Sequence, residues 1–182
     1  MAREYFVLTA VGPDRPGLVD AVSEYVFARG GNVEASRAAT LGGEFAVVML
    51  VSVPASAGKA LQDELAALAE AGLSCTARPT SAPREHEPAA GTIPYVLTVH
   101  AMDHPGIVQA VTHELATMGI NIESLETHVE SAPHTGTAVF HFHARLDLPV
   151  RLNIAHCRQR LAALSEQLNI DYSLGPVEAE KR

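Results

Sequence analysis

FVLTAVGPDRPGLVDAVSEYVFARGGNVEASR (residues 6–37) returns 89 positions later, without a gap, as YVLTVHAMDHPGIVQAVTHELATMGINIESLE (residues 95–126), and 12 of the 32 aligned pairs are identical. Average composition would leave about two identities by chance. The chain is therefore read as a tandem repeat. Between the copies lies Pro79-Thr-Ser-Ala-Pro-Arg-Glu-His-Glu-Pro-Ala-Ala-Gly-Thr-Ile-Pro94, whose prolines and lack of periodicity predict an extended linker. The expected division is a first domain over residues 1–78, a linker over 79–93, a second domain over 94–175 and a tail over 176–182.

The apolar period switches in the same order in both copies. Phe6, Leu8 and Ala10 alternate with Val7, Thr9 and Val11, as in a strand able to bury both faces. Leu18, Ala21, Val22, Tyr25 and Val26 then recur at helical spacing, and Gly30-Gly31 reads as a C-cap. Residues 33–40 and 44–53 read as two strands joined through Leu41-Gly42-Gly43. A helix is expected over Ala57 to Ala71, with Leu61, Leu65 and Leu68 on one side, and a short strand carries Leu73, Cys75 and Ala77. The second copy repeats the plan, so the order is βαββαβ twice. Right-handed crossovers fold such a unit into an antiparallel four-stranded sheet with both helices on one face, an α+β ferredoxin-like domain.

Composition bounds the function. Of 182 residues, 47% are hydrophobic and 19% charged, which places the chain among globular proteins with a real core. Charged residues, Gly or Pro interrupt every apolar run before the roughly 18–20 residues that a bilayer span needs. The start Met1-Ala2-Arg3-Glu4 has the shape of neither a signal nor a transit peptide, so a cytoplasmic protein is expected. The net charge is −8 and neither copy offers a basic face, which disfavours direct nucleic-acid binding. Cys75 and Cys157 lie in no zinc-ligand spacing and are expected to be buried thiols.

The loop after the first strand of each copy carries the most chemistry. Gly12-Pro13-Asp14-Arg15-Pro16-Gly17 and Ala101-Met102-Asp103-His104-Pro105-Gly106 each end a strand and open a helix. Asp suits an N-cap, Pro the first turn, and Gly a close backbone approach. The same geometry leaves N–H groups at the positive end of a helix dipole, where a small carboxylate can dock. One turn beyond each helix stands an Asn, in Gly30-Gly31-Asn32-Val33-Glu34 and in Gly119-Ile120-Asn121-Ile122-Glu123. Such an Asn can equally serve an αL turn.

A strand, Asp-x-Pro-Gly, an amphipathic helix and Gly-x-Asn-Val/Ile at the next strand resemble the ACT domain, and the resemblance covers nearly the whole chain, twice. Residues 32–37, with Leu41-Gly42-Gly43-Glu44-Phe45 and Met49-Leu50, further resemble the family of two-domain repressors of the glycine cleavage system, and a similar segment opens the formyltetrahydrofolate deformylases. The resemblance implies a non-enzymatic regulator that binds a small amino acid, glycine being the expectation. It would act on transcription indirectly, through a protein partner such as a transcriptional activator. The implied ligand contacts are Gly12, Pro13, Asp14, Arg15, Pro16 and Gly17 with Asn32 and Val33. In the second copy they are Ala101, Met102, Asp103, His104, Pro105 and Gly106 with Asn121 and Ile122. Arg15 is replaced by His104 and Pro13 by Met102, so the two sites are expected to differ.

Two further features remain. All but one of the nine histidines fall between His100 and His156. By strand parity His100, His141 and His143 share the sheet face away from the helices, a spacing that suits a metal. A metal-binding or enzyme-accessory module is thus the alternative reading. No Ser-His-Asp order, HExxH, phosphate loop or dinucleotide fingerprint occurs, so no catalytic residue and no cofactor are assigned. The corresponding face of the first copy lacks the aromatic residues that an RNA-binding plait stacks on bases. Its Val7, Val11, Val48 and Leu50 instead predict a homo-oligomer or a pairing of the two sheets.

Overall fold

Every second residue of the first strand points into a core: Phe6, Leu8 and Ala10 are buried, while Val7 and Thr9 on the other face are half-exposed. The strand buries one face, not both, because helices cover one side of the sheet. In the computed structural model, residues 2–82, 91–132 and 136–177 are described, and they form an N-terminal and a C-terminal unit. The first unit runs β1 (Arg3–Pro13), α1 (Leu18–Phe27), β2 (Asn32–Leu41), β3 (Glu44–Pro54), α2 (Gly58–Asp63) and β4 (Ser74–Thr80). The second runs β5 (Thr92–Met102), α3 (Ile107–Thr117), β6 (Asn121–Ser131), β7 (Ala138–Pro149), α4 (Ile154–Leu168) and β8 (Ile170–Pro176). Pro79 and Thr80 complete β4, and Thr92, Ile93 and Pro94 open β5. Residues 83–90 of the expected linker and 178–182 of the tail lie outside the described residues.

Each unit is a four-stranded antiparallel sheet, ordered β2-β3-β1-β4 and β6-β7-β5-β8. That is the expected βαββαβ plait. The first core joins Phe6 and Leu8 of β1, Val47, Met49 and Val51 of β3, and Leu18, Val22 and Val26 of α1. The second joins Leu97 and Val99, Phe140 and Phe142, Val111 and Leu115, with Cys157 and Leu161 of α4. Burial raises the thiols of Cys75 and Cys157 above the ordinary cysteine range, which keeps them weak nucleophiles.

The expected helix from Ala57 to Ala71 is broken. It consists of a 3₁₀ turn (Ala55–Ala57), α2, and a second 3₁₀ stretch (Leu65–Ala71). Residues three apart eclipse one another in a 3₁₀ helix, so this winding sets Leu65, Leu68 and Ala71 in line on the core. Its counterpart α4 is a continuous helix, capped by the Asn153 side chain accepting from the N–H groups of Ala155 and His156. Among the described residues, no helical segment of the first unit has such a capping side chain at its start.

Candidate functional site

The two Asp-x-Pro-Gly loops do not use Asp as the N-cap. Gly17 (φ 92°) and Gly106 (φ 98°) occupy that position in the left-handed region, and the helices begin one residue later. Pro16 and Pro105 therefore precede the helix rather than sit in its first turn. A residue with a Cβ is strained at such a φ, which explains the glycine. Asp14 and Asp103 are held by their backbones instead: the Asp14 N–H donates to the Gly43 carbonyl (2.9 Å) and the Asp103 N–H to the Ala138 carbonyl (3.0 Å). Each loop is thus pinned where the second strand of the hairpin begins, at the turn residue Gly43 and at Ala138, the first residue of β7.

Arg15 and His104 differ in sequence but reach the same place. Arg15 Nη2 donates to the Ala71 carbonyl (2.7 Å), and His104 Nε2 lies 3.3 Å from the Leu168 carbonyl. Both carbonyls belong to the last turn of the second helical segment, where orphan acceptors and the negative end of the dipole favour a donor. His104 Nδ1 also lies 3.1 Å from the Pro105 carbonyl.

The first intrahelical bond of α1 runs from the Ala21 N–H to the Gly17 carbonyl, and that of α3 from Ala110 to Gly106 (2.9 Å each). Each helix thereby leaves its first N–H groups, those of Leu18, Val19 and Asp20 in α1, without an internal acceptor. They border an open cleft of about 460 Å³ lined by Asp14, Arg15, Gly17 to Asp20, Thr40 and Phe45. Nothing lies within 4 Å of where a Cβ on Gly17 or Gly106 would stand, so the backbone is accessible there. Pro13 and Met102 are the last residues of β1 and β5, and Met102 is exposed.

Asn32 and Asn121 lie elsewhere. Asn32 pairs with Ser52 near the end of β3, whereas Gly12 pairs with Phe45 near its beginning. The seven steps from Phe45 to Ser52 span about 23 Å of strand at ~3.3 Å each. Asn121 with Ile122 and the loop Ala101–Gly106 are likewise at opposite ends of the second sheet. No single domain brings its loop to its own Asn. The αL expectation for the Asn also fails: Gly30 (φ 65°) and Gly119 (φ 69°) make the turn, and among the described residues Asn169 is the sole non-glycine with positive φ.

The Asn segments share a feature that alternation did not reveal. Both strands carry a β-bulge at the following glutamate, between Val33 and Ala35 and between Ile122 and Ser124. A bulge re-aims its side chain. Glu34 Oε1 accepts from the Ser52 hydroxyl (2.5 Å) and the Asn32 amide (3.2 Å), while Arg3 Nε donates to Ser52 Oγ (3.0 Å). These donors hold the Glu34 carboxyl below its ordinary range, Ser52 first. In the second domain Asn121 Nδ2 donates to Asp147 (3.0 Å) and Arg145 Nε to Glu123 (3.2 Å).

The histidines form a cross-strand row. His128 of β6 pairs with His141 of β7, which pairs with His100 of β5, which pairs with Asp171 of β8. His100 Nδ1 is 2.9 Å from His141 Nδ1, and the His128 ring stacks on His141 at 4.7 Å. The expected trio of His100, His141 and His143 is corrected. The residues whose donor atoms converge, all within 4.8 Å of one another, are His128, Glu130 and His141. His143 pairs with Thr98 and Glu126, one row along. The alternation Glu126, His128, Glu130 in β6 was the available signal.

ACT domain models match residues 4–75 and 95–146. A glycine cleavage system transcriptional repressor of Escherichia coli (strain K12) is 30% identical over 178 residues, spanning 97% of this chain and 92% of that protein. The protein of the same description from Shigella flexneri matches to the same extent. The crystal structure of an unknown protein from Galdieria sulphuraria superposes with a TM-score of 0.83 at 35% identity, over 97% of this chain and 99% of the other.

Proposed function

The chain belongs to the ACT domain family, with two such domains in tandem, and on that premise we propose that it is a non-catalytic cytoplasmic regulator that binds a small amino acid, glycine first among them. The observation that carries the reading is the left-handed glycine at each helix start. In the first domain it opens a cleft lined both by unpaired N–H groups and by the carboxylates of Asp14 and Asp20. A ligand carboxylate accepts from the N–H groups of Leu18 and Val19, and its ammonium meets Asp14 or Asp20. Asn32 and Asn121 lie at the other end of each sheet and are no part of this cleft.

The regulatory output is transcription of glycine cleavage genes, reached through a protein partner such as a transcriptional activator. The likeness to the Escherichia coli repressor and the net charge of −8 support an indirect route. Ligand binding shifts the partner by favouring one of two states of the regulator.

Calorimetric titration of the full chain with glycine, serine and the other amino acids tests the binding. Saturable binding of glycine is expected, and Asp14→Ala should weaken it about tenfold or more, the scale of one hydrogen bond to a charged group. Absence of saturable binding by any amino acid removes the proposal.

Self-association is part of the same reading. Val11 and Val48 on the open face of the first sheet are 45% and 49% exposed, and β2 and β6 are edge strands exposed along nearly their whole length. Apolar faces and free edges of this kind recruit a second chain. Light scattering should show a dimer or larger species, and Val48→Glu should shift it towards monomer. A monomer at every concentration would refute the assembly.

A further inference from the structure

We propose that the open face of the second sheet holds a site for a divalent first-row transition metal, built from His128, Glu130 and His141 with His100 as the outer partner that orients His141. The proposal stands apart from the amino-acid reading, since these residues lie on the β6–β7 hairpin and the neighbouring strand, not on a helix-start loop.

The ring of His141 occupies the centre of the cluster. Its Nε2 is buried and lies 2.9 Å from Glu130 Oε1 without the direction of a hydrogen bond, so the nitrogen has no hydrogen-bonding partner. A buried polar atom without a partner calls for an explanation, and an absent ion is one of the recognised kinds. Its Nδ1 meets His100 Nδ1 at 2.9 Å, a contact in which one ring donates and the other accepts. With His141 Nδ1–H donating to His100, Nε2 carries a lone pair beside the Glu130 carboxylate, free to take a cation. A cation shared by the nitrogen and the carboxylate, or a proton on the nitrogen, offsets their repulsion at that separation. An N–H directed outward that fixes the tautomer of a ligand is the usual outer arrangement of a metal-bound imidazole.

His128 supplies the second nitrogen. It stands directly opposite His141 in the ladder, and both it and Glu130 are exposed and on the face away from the core. Their side chains can close without disturbing the sheet. Bonds of about 2.0–2.1 Å in a tetrahedral site set donors about 3.3 Å apart, so donors now within 4.8 Å need only rotamer adjustment. Two imidazoles and a carboxylate suit zinc and its neighbours rather than magnesium or calcium, whose ligands are oxygens. The corresponding row of the first sheet is Ala39, Ala46, Val11 and Ser74, which offers no such donors. The site is a property of the second repeat.

Titration of the untagged full chain with zinc, read by calorimetry and by competition with a chromogenic chelator, tests the assignment. One zinc per chain is expected at micromolar affinity or tighter. His141→Ala, His128→Ala and Glu130→Gln should each lower the affinity by at least about tenfold. His100→Ala should lower it by about tenfold while keeping the stoichiometry, as outer partners do. His143→Ala should leave it unchanged. Far-UV circular dichroism of each variant should match the parent, since every altered side chain faces away from the core. Failure to bind zinc saturably overturns the proposal. So does binding that survives His141→Ala, or binding that is lost in His143→Ala but kept in His128→Ala and Glu130→Gln.

Discussion

Replacing Phe142 with alanine is expected to cost the second domain about 3–5 kcal/mol, the range for deleting a buried aromatic ring. Phe142 is 1% exposed and lies midway along β7, with Val99 of β5 on one side and Thr127 of β6 on the other. Its ring packs in a core made wholly of residues from the second unit. Native domains are stable by only about 5–15 kcal/mol, and small ones lie at the low end, so the loss brings this domain near its unfolding midpoint. The first core shares no residue with it. Denaturant unfolding should therefore show a transition of the second domain at much lower denaturant while that of the first is kept. Zinc affinity should fall in the same variant, because the proposed ligand His141 adjoins Phe142 in β7 and is held in place by the folded strand. A parent-like stability would mean that the ring fills no essential space.

The second large effect is expected at Gly12. A Cβ there would stand 2.4 Å from the carbonyl oxygen of Gly72 and 3.3 Å from Leu73 Cδ2. The nearest atom is backbone, so no rotamer change relieves the clash. Gly72 is itself left-handed (φ 73°) and closes the 3₁₀ stretch through its N–H to the Ala69 carbonyl. Making room displaces the turn that delivers the buried Leu68 and Leu73 to the core. Gly12→Ala is expected to destabilise the first domain by about 1–3 kcal/mol, as overpacking does. The same shift moves the Ala71 carbonyl that Arg15 holds, so amino-acid affinity should drop with stability. Gly17→Ala separates the two causes: no neighbour lies within 4 Å, and its cost of about 1–2 kcal/mol comes from the left-handed backbone alone. A melting temperature unchanged in Gly12→Ala would contradict the close approach. The aligned position in the second repeat is Ala101, so the tight spacing is peculiar to the first domain.

These positions show what kind of information a repeat carries. The βαββαβ order follows from the switches of apolar period, and which residues share a face follows from parity along their own strand. Parity placed His100, His141 and His143 on one face, and they are there. It says nothing about which residues stand opposite one another, which is a matter of register between strands. Register put His128 against His141 and Glu130 beside them, and moved His143 into the next row. The Asp-x-Pro-Gly loops show a similar boundary. The motif pointed correctly to a helix start, yet assigned the cap to Asp, whereas Gly17 and Gly106 take it in the left-handed region while the Asp14 and Asp103 backbones bond across to Gly43 and Ala138.

The sequence alone established two βαββαβ domains, their amphipathic faces and the paired loops, since each rests on local spacing that the chain carries wherever it is read. Tertiary structure decided that each loop and its Asn lie at opposite ends of a sheet, that Glu34 and Glu123 are bulged, that Arg15 and His104 serve the same helix end, and which histidines converge. All of these depend on residues distant in the chain being set side by side, and that is the work of strand pairing and core packing rather than of local preference.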